Sequence, residues 1–254
     1  MSGTDPAHAQ ASWAVRLEWG PTGGAAVAAG ADVAVVVDVL SFTTTLTVAL
    51  DRGMTVYPFA WKDARAEAYA AERDAVLAVG RLEASQGQAG VSLSPASMLA
   101  VDGVERVVLP SPNGSSIAFA LAGLGCVVVG ASLRNAGAVG SWLRPQVESG
   151  ARVAVVPAGE RWPDGSLRPS VEDLWGAGAV LSSLDGSVEL SPEARLAVTA
   201  HAAARDDLRE ELVACASGAE LVDKGFASDV WIAAESDVSD IVPVLDGEAF
   251  HPAP

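Results

Sequence analysis

The chain has 254 residues, of which 50% are hydrophobic, so it can bury a large core and is too apolar to be a disordered protein. Its 32 acidic residues outnumber its 16 basic residues, and the formal net charge of −16 opposes binding to nucleic acid and to anionic membrane surfaces. The two cysteines, Cys126 and Cys215, have neither the number nor the spacing of a disulfide framework or a thiolate metal site, which favours a reducing cytoplasm.

The first twelve residues lack the basic segment and apolar run of a secretory signal, and we expect a disordered tail over residues 1–12. Residues 13–254 are expected to form a single domain, because no long linker or low-complexity tract interrupts them. Short Val-rich runs alternate there with Ala- and Leu-rich stretches at helical spacing, the pattern of strands and helices around a parallel sheet. The predicted fold class is therefore α/β with a mostly parallel sheet, as one compact unit or two lobes, and a helical C-terminal region.

The predicted strands are short and apolar. They cover residues 33–37, 55–58, 76–79, 107–109, 126–129, 153–156 and 241–245. The predicted helices cover residues 43–51, 62–73, 94–101, 115–124, 134–147 and 171–184, with several more between residues 192 and 235. The stretch from 107 to 133 has no charged residue, but the turn-forming and polar residues at 110–116 would be costly in a bilayer, so we expect no membrane span.

The first candidate site residue is Asp38, which directly follows the apolar strand at 33–37. Parallel α/β sheets bind ligands at the carboxyl ends of their strands, and a carboxylate there is costly unless it is paired, hydrogen-bonded or bound to a cation. Thr43 and Thr44 open the next helix with hydroxyl and N–H groups suited to an anion. We predict Asp38 as a metal ligand and the two threonines as phosphate contacts; alternatively, Asp38 caps its turn and Thr43 caps the helix.

A second turn follows the strand at 107–109. Asn113 and Gly114 can reverse the chain sharply and present backbone donors, and Ser115 adds a hydroxyl, so these three residues are predicted to contact phosphate. The segment lacks the Gly-Lys-Ser/Thr of a Walker loop, and an ordinary Asn-Gly turn with a serine cap is the alternative interpretation.

A third turn contains Ser132, Arg134 and Asn135 at the start of a helix. A cation at a helix start opposes the helix dipole, so it needs an acidic partner or an anionic ligand. We predict that Arg134 stabilises charge on a substrate that Ser132 and Asn135 contact. A surface salt bridge is the alternative for Arg134.

A fourth segment places Glu160 and Arg161 after the strand at 153–156, with Glu172 and Asp173 in the first turn of the following helix. Glu160 is predicted as the base that activates water, and Arg161 as a substrate contact. Glu172 and Asp173 are candidate metal ligands, although acidic residues in a first helical turn also serve as simple dipole partners.

Several mechanisms of phosphate-ester hydrolysis are excluded by inspection. Leu40 stands two residues after Asp38, where haloacid-dehalogenase-type phosphatases need a second aspartate, and no arginine stands six residues after either cysteine. His201 lies in an Ala-rich helix, and the two other histidines lie near the termini. What remains is a hard cation held by carboxylates, for which Mg²⁺ is suited, with positive charge from Arg134, and from Arg81 or Arg161, spread over the phosphoryl group.

These segments, in their order and spacing, resemble the 2-phosphosulfolactate phosphatases, the magnesium-dependent enzymes of coenzyme M biosynthesis, over nearly the whole chain. The matching segments are Val36-Val37-Asp38-Val39-Leu40, Thr43-Thr44-Thr45, Ser94-Pro95, Asn113-Gly114, Gly130-Ala131-Ser132-Leu133-Arg134-Asn135-Ala136, Pro157-Ala158-Gly159-Glu160, Glu172-Asp173-Leu174, Gly176-Ala177-Gly178, Ser217-Gly218, Gly225-Phe226 and Ile241-Val242-Pro243. The resemblance implies a three-layer α/β/α fold and the hydrolysis of (2R)-2-phospho-3-sulfolactate to 3-sulfolactate and phosphate.

The chain departs from the family pattern in two segments. Many members have arginine after Asp-Val-Leu, where this chain has Ser41 and Phe42, and a Gly-Phe-Asp…Gly-Asn-Ser-Pro stretch is replaced by residues 88–95. A phosphatase of another small phosphorylated acid and a non-catalytic protein that binds an anionic metabolite are therefore kept as alternatives. The expected partner is a small anionic phosphorylated substrate, and the oligomeric state, including a homo-oligomer, is left open.

Overall fold

The computed structural model describes residues 5–60, 64–85, 91–184, 186 and 188–253. The strands in these residues are β1 (Val15–Leu17), β2 (Val33–Val37), β3 (Thr55–Phe59), β4 (Val76–Leu77), β5 (Arg106–Pro110), β6 (Val127–Ala131), β7 (Val153–Pro157), β8 (Glu160–Arg161), β9 (Leu167–Arg168), β10 (Pro243–Asp246) and β11 (Ala249–Pro252). The α-helices are α1 (Gly20–Ala28), α2 (Phe42–Asp51), α3 (Ala64–Glu72), α4 (Arg81–Ser85), α5 (Pro95–Ala100), α6 (Gly114–Ala122), α7 (Ala136–Glu148), α8 (Val171–Ser182), α9 (Pro192–Ala204), α10 (Leu208–Ala214), α11 (Ala216–Asp223) and α12 (Ala227–Ala233). Single 3₁₀ turns cover Leu133–Asn135 and Arg205–Asp207.

Nine strands form one sheet in the order β1-β7-β2-β6-β10-β11-β3-β5-β4. Its strands are parallel except at the hairpin of β10 and β11, which is inserted antiparallel between β6 and β3. Val37, the last residue of β2, pairs with Ala131 of β6 and with Pro157 of β7. The carboxyl ends of these three central strands therefore lie side by side at one edge of the sheet.

The sheet separates two hydrophobic cores. Alternate residues of β2 point to opposite faces, so that Val35 packs in one core and Val36 in the other. The first core is covered mainly by α7, α8, α9 and α10, and the second by α1, α2, α5 and α6. Because both faces of the central strands are covered, all five residues of β2 are buried and apolar, as in other parallel sheets. The predicted three-layer α/β fold with a mostly parallel sheet is confirmed.

Each predicted strand has a counterpart in the structure whose ends differ by no more than two residues. The predicted helices also have counterparts, although the expected helix start at Lys62 lies outside the described residues, as do residues 88–90 of the second departure from the family pattern. The sequence analysis missed β1, the hairpin of β8 and β9, β11, α1 and α4. No helix among the described residues is long and apolar enough to span a membrane.

Residues 5–12 differ from the expected disordered tail, because they form turns that are tied to β1. The Gln10 side chain donates to the carbonyl of Leu17 over 2.7 Å and accepts the Leu17 N–H over 3.2 Å. Arg16, which is 1% exposed, donates to the carbonyls of Ala9 and Val27. The N-terminal segment is thus fastened to the end of α1 through Arg16.

Candidate active site

Asp38 lies at the carboxyl end of β2 and is 5% exposed. Its Oδ1 accepts the N–H of Phe42 over 3.1 Å, and its Oδ2 accepts the N–H of Gly114 over 2.8 Å. One carboxylate therefore ties the start of α2 to the turn between β5 and α6. Gly114 permits this approach, because a Cβ at that position would lie 2.6 Å from Asp38 Oδ2 and 2.4 Å from Phe42 Cδ1.

Asn113 extends this network to Glu160. Its amide nitrogen donates to Glu160 Oε2 over 2.8 Å, while the neighbouring Gly114 holds Asp38. Glu160 begins β8 directly after the turn that leaves β7. The structure thus brings the predicted residues of three strand ends, Asp38, Asn113 with Gly114, and Glu160, into one continuous network.

Asp173 closes the network from α8. Its Oδ1 accepts the N–H of Val39 over 2.7 Å, and its Oδ2 accepts the N–H of Gly159 over 2.8 Å. It therefore fixes the turns that carry Asp38 and Glu160 relative to each other. Glu172, the preceding residue, is 2% exposed in the same turn of helix.

Burial and neighbouring acidic side chains raise the pKa of Asp38, Glu160 and Asp173. Burial and the charges of Glu160 and Glu172 raise the pKa of Asp38 to about 7, although the N–H groups of Phe42 and Gly114 oppose the shift. Burial, followed by the charges of Asp38 and Glu172, raises the pKa of Asp173 well above its ordinary value.

Glu160 is less buried than the two aspartates. Burial raises its pKa, the Asn113 amide and Arg168 lower it, and Glu172 raises it. A carboxyl group with a raised pKa that reaches a cavity is suited to general-base chemistry near neutral pH.

The donor set of this edge consists of carboxylate oxygens, the ligands that a hard cation prefers. Across the part of the chain that the structure describes, no three His, Cys, Asp or Glu side chains form a ready-made cation site. Mg²⁺ does not require one, because it keeps several waters and takes one or two protein carboxylates together with substrate phosphate. The residues present therefore fit Mg²⁺ in donor type.

Glu160 lines two cavities. The first, about 360 Å³, is lined by polar and charged residues, among them Arg81, Glu160, Ser217 and Lys224, and by apolar residues including Phe226. The second, about 290 Å³, is lined by Asn113, Glu160 and Arg161 among others. Volumes of this size suit a small ligand.

Thr43, Thr44 and Ser115 are fully buried, and their hydroxyls serve the turns of the backbone. They donate to the carbonyls of Asp38, Val39 and Leu109, respectively, over 2.7 to 2.8 Å. The structure uses these hydroxyls inside the backbone turns, although neither Thr43 nor Ser115 is the helix cap that the alternative interpretation expected, because the N-caps are Ser41 and Asn113. Their contact with phosphate stays a prediction.

The polar side chains of the third predicted turn also bond to other groups of the protein. Asn135 accepts the N–H of Ser132 over 2.8 Å and donates to the carbonyl of Ile241 over 2.9 Å. Arg134 forms an ion pair with Glu235 and donates to the carbonyl of Ile232 over 3.1 Å, so the salt-bridge alternative describes it. Ser132, Arg134 and Asn135 are not among the residues that line the two cavities beside Glu160.

Arg161 is exposed and donates to the carbonyl of Gly165, although it does line the second cavity. Arg168 in β9 was missed by the sequence analysis. Its guanidinium donates to Ser217 Oγ over 3.0 Å and lowers the pKa of Glu160. The short hairpin of β8 and β9 places it there, and Pro163-Asp164-Gly165 between the two strands is the turn signal that could have identified the hairpin.

The chain is similar to one family of known proteins. A family model described as 2-phosphosulpholactate phosphatase matches residues 25–248. A probable 2-phosphosulfolactate phosphatase of Thermus thermophilus is 33% identical over 221 residues, which are 85% of this chain and 89% of that protein. A protein of the same description from Deinococcus radiodurans is 32% identical over 222 residues, 84% of this chain and 88% of its own length.

Proposed function

Because the chain belongs to the 2-phosphosulfolactate phosphatase family, we propose that it hydrolyses (2R)-2-phospho-3-sulfolactate to 3-sulfolactate and phosphate in a magnesium-dependent reaction. The observation that carries the proposal is the network in which Gly114 holds Asp38 and Asn113 holds Glu160 at the carboxyl ends of the central strands. We place the reaction in the cytoplasm and in coenzyme M biosynthesis on the composition and the family resemblance.

Asp38 is the residue proposed to hold Mg²⁺, with Glu172 or Asp173 in support. When bound there, the ion supplies positive charge that screens phosphoryl oxygens and lowers the pKa of water. Asp38 is suited to this because two backbone N–H groups fix its orientation and leave a further lone pair on each oxygen. Asp173 holds the backbone N–H groups of Val39 and Gly159 and so positions the turns on both sides.

Glu160 is proposed as the general base. It takes a proton from the attacking water while the new O–P bond forms and the bond from phosphorus to the C2 oxygen of the substrate breaks. The C2 oxygen takes up a proton from solvent and becomes the hydroxyl of sulfolactate. The Asn113 amide orients the Glu160 carboxylate through the bond of 2.8 Å.

Arg168 replaces Arg134 as the proposed source of positive charge near the phosphoryl group. Arg134 is occupied by Glu235, whereas Arg168 acts electrostatically on Glu160 and bonds to Ser217 in the wall of the larger cavity. A guanidinium close to the reacting group stabilises the anionic charge that spreads over it as the ester bond breaks.

The test is the substitution Asp38→Asn, assayed with phosphosulfolactate across a magnesium titration. We expect magnesium-stimulated phosphate release to fall by roughly 100-fold or more, a size typical of removing one electrostatic group from an active site. Asp102→Asn is the matched control, because Asp102 is an exposed acid in a surface pair with Arg52. An unchanged rate in Asp38→Asn, with the protein folded, would refute the assignment.

A panel of phosphorylated hydroxy acids separates this proposal from a phosphatase of different specificity. Ser41 belongs to one of the two segments that depart from the family pattern, and it contacts Arg81 in the wall of the larger cavity. The side chains at this part of the cavity therefore differ from those that the family pattern implies. A preference for a substrate without a sulfonate would favour the second specificity. Tight binding without phosphate release would favour a non-catalytic metabolite-binding protein.

A further inference from the structure

Arg81 presents a fixed guanidinium in the wall of the larger cavity. Its Nε donates to Asp229 Oδ2 over 2.6 Å, and one of its terminal nitrogens donates to Ser41 Oγ. The arginine side chain is 16% exposed and that of Asp229 is 1% exposed. These two bonds use two of the five N–H donors of a guanidinium.

Asp229 is itself held firmly. Its Oδ1 accepts the hydroxyl of Ser94 over 2.6 Å and the N–H of Ala96 over 3.2 Å. The ion pair therefore joins α4, the start of α5 and α12, and it orients the guanidinium before any ligand binds. Pre-orientation lowers the entropy that a ligand contact must otherwise overcome.

The wall of the larger cavity carries charges of both signs: Lys224 and Glu220, which form an ion pair, and Glu83 and Glu160 line it together with Arg81. Leu40, Leu93 and Phe226 line the cavity beside Arg81, and the ring of Phe226 lies 5.9 Å from the arginine Cζ. Apolar walls lower the local dielectric and strengthen a charge-assisted hydrogen bond. Glu160 lines the same cavity, so a small molecule whose phosphate lies at Glu160 can reach Arg81 with a different group.

We propose that Arg81 binds a second anionic group of the substrate, a sulfonate or carboxylate separate from the phosphate, and thereby selects phosphorylated acids over phosphomonoesters with an uncharged end. The inference rests on the proposed function and assigns a specificity-determining residue to it. The planar fork of a guanidinium suits the paired oxygens of a sulfonate or carboxylate. Ser41 and Asp229 act as positioning residues for that fork.

The test compares kcat/KM for phosphosulfolactate with kcat/KM for p-nitrophenyl phosphate, whose organic end carries no acid. Arg81→Gln should lower the first by about 10- to 100-fold, mainly through KM, and change the second by less than about threefold. Arg73→Gln is the matched control, because Arg73 has a side-chain exposure of 17% and an ion pair with Glu248, and it lines neither cavity beside Glu160. An equal loss on both substrates, or no loss on either, overturns the proposal.

A binding measurement separates this inference from the proposed function. 3-Sulfolactate carries the acidic groups but no phosphate, so calorimetry with it reports the Arg81 contact without turnover. Arg81→Gln should weaken its binding by the same 10- to 100-fold as the loss in kcat/KM. Sulfolactate binding that is unaffected by Arg81→Gln overturns the inference even where phosphosulfolactate is hydrolysed, and Arg81-dependent binding without hydrolysis supports it while the proposed function fails.

The substitution leaves Asp229 without its charged partner in a buried position, which can impair folding. The double variant Arg81→Gln with Asp229→Asn removes both charges and keeps the site testable if the single variant does not fold. It should bind sulfolactate about 10- to 100-fold more weakly than the unsubstituted protein does. Retained binding in a folded double variant contradicts the proposal.

Discussion

The Asp38 carboxylate has a structural role and lies in an environment that disfavours its negative charge. Its two oxygens receive N–H groups from two separate helices, which makes it a structural clamp between α2 and α6. Burial of the same carboxylate, followed by the charges of Glu160 and Glu172, opposes its ionisation. Positive charge at this edge, from a cation or from a proton, would therefore relieve repulsion that the fold itself creates.

The stability of the metal-free protein should consequently depend on pH. The pKa of Asp38 is raised from 3.8 to about 7 in the folded state, so the folded state binds the proton more tightly than the unfolded chain does. The free energy of unfolding should therefore fall as pH rises from about 4 to about 7, by on the order of 4 kcal/mol for this group, since one pKa unit corresponds to ~1.4 kcal/mol.

Urea denaturation in the presence of a chelator, repeated across this pH range, measures the effect. Asp38→Asn lacks the titrating group and should show a flatter dependence, and Mg²⁺ should flatten the dependence of the unsubstituted protein. Identical pH profiles for the two proteins would contradict the raised pKa of Asp38.

Gly114 should be intolerant of any side chain. A Cβ there would lie 2.6 Å from Asp38 Oδ2 and 2.4 Å from Phe42 Cδ1, and neither can retreat without breaking the clamp. We expect Gly114→Ala to lower kcat/KM by about 100-fold, because small displacements at a reacting centre have costs of this size.

Gly123→Ala is the matched control at the other end of α6. Its added Cβ would lie 3.4 Å from its nearest neighbour, the carbonyl oxygen of Ala120. Its activity should stay within about twofold of the unsubstituted protein. Equal activity of both alanine variants would show that the contact between Gly114 and Asp38 does not matter for catalysis.

At the scale of the elements, the sequence predicted those features that depend on a local pattern of residues. Asp38 and Glu160 could be placed together because each follows an apolar strand, and neighbouring parallel strands end at the same edge. The contact of Asn113 with Glu160 does not follow from that rule, because β6, β10, β11 and β3 separate β5 from β2 in the sheet. The partners of arginines could not be found in this way. Arg134 meets Glu235, and Arg81 meets Asp229, only because α12 packs back against distant parts of the chain.

The hydroxyl groups illustrate the same limit. A threonine at a helix start can accept a ligand or bond to its own turn, and the two options have the same sequence. The hydroxyl of Thr43 donates to the carbonyl of Asp38, so the local option is the one adopted in the structure. Only the three-dimensional distances distinguish these readings.

The packing of α8 on α9 should be sensitive to one methyl group. A Cβ at Gly178 would lie 2.1 Å from the carbonyl oxygen of Ala197, so α9 would have to move. Gly178→Ala should lower the free energy of unfolding by about 2 kcal/mol, since the overpacking exceeds the gain in helix propensity.

Chemical denaturation measures this change against Gly123→Ala, where the added Cβ would make an ordinary van der Waals contact, 3.4 Å from the carbonyl oxygen of Ala120. The rate of phosphate release by Gly178→Ala, assayed with Mg²⁺ under stabilising conditions, should stay close to that of the unsubstituted protein, because Glu172 and Asp173 lie in the first turn of α8, away from Gly178. A variant as stable as the unsubstituted protein would show that α9 can shift at little cost.

At the scale of the whole molecule, the central strands belong to both cores at once. In β2, Val33, Val35 and Val37 pack on one face, and Ala34 and Val36 pack on the other. If one core unfolded, it would expose the strands whose opposite face forms part of the other core. This shared sheet favours a single cooperative unit over two independent lobes.

Cavity variants in each core test that expectation. Leu143 in the first core and Leu121 in the second are both at most 2% exposed, and their replacement by alanine should cost about 2–5 kcal/mol each. If the chain is one domain over residues 13–254, each variant moves the whole urea transition to lower concentration, with coincident curves from circular dichroism and tryptophan fluorescence. Two independent lobes would instead give a split transition in which each variant shifts only its own step.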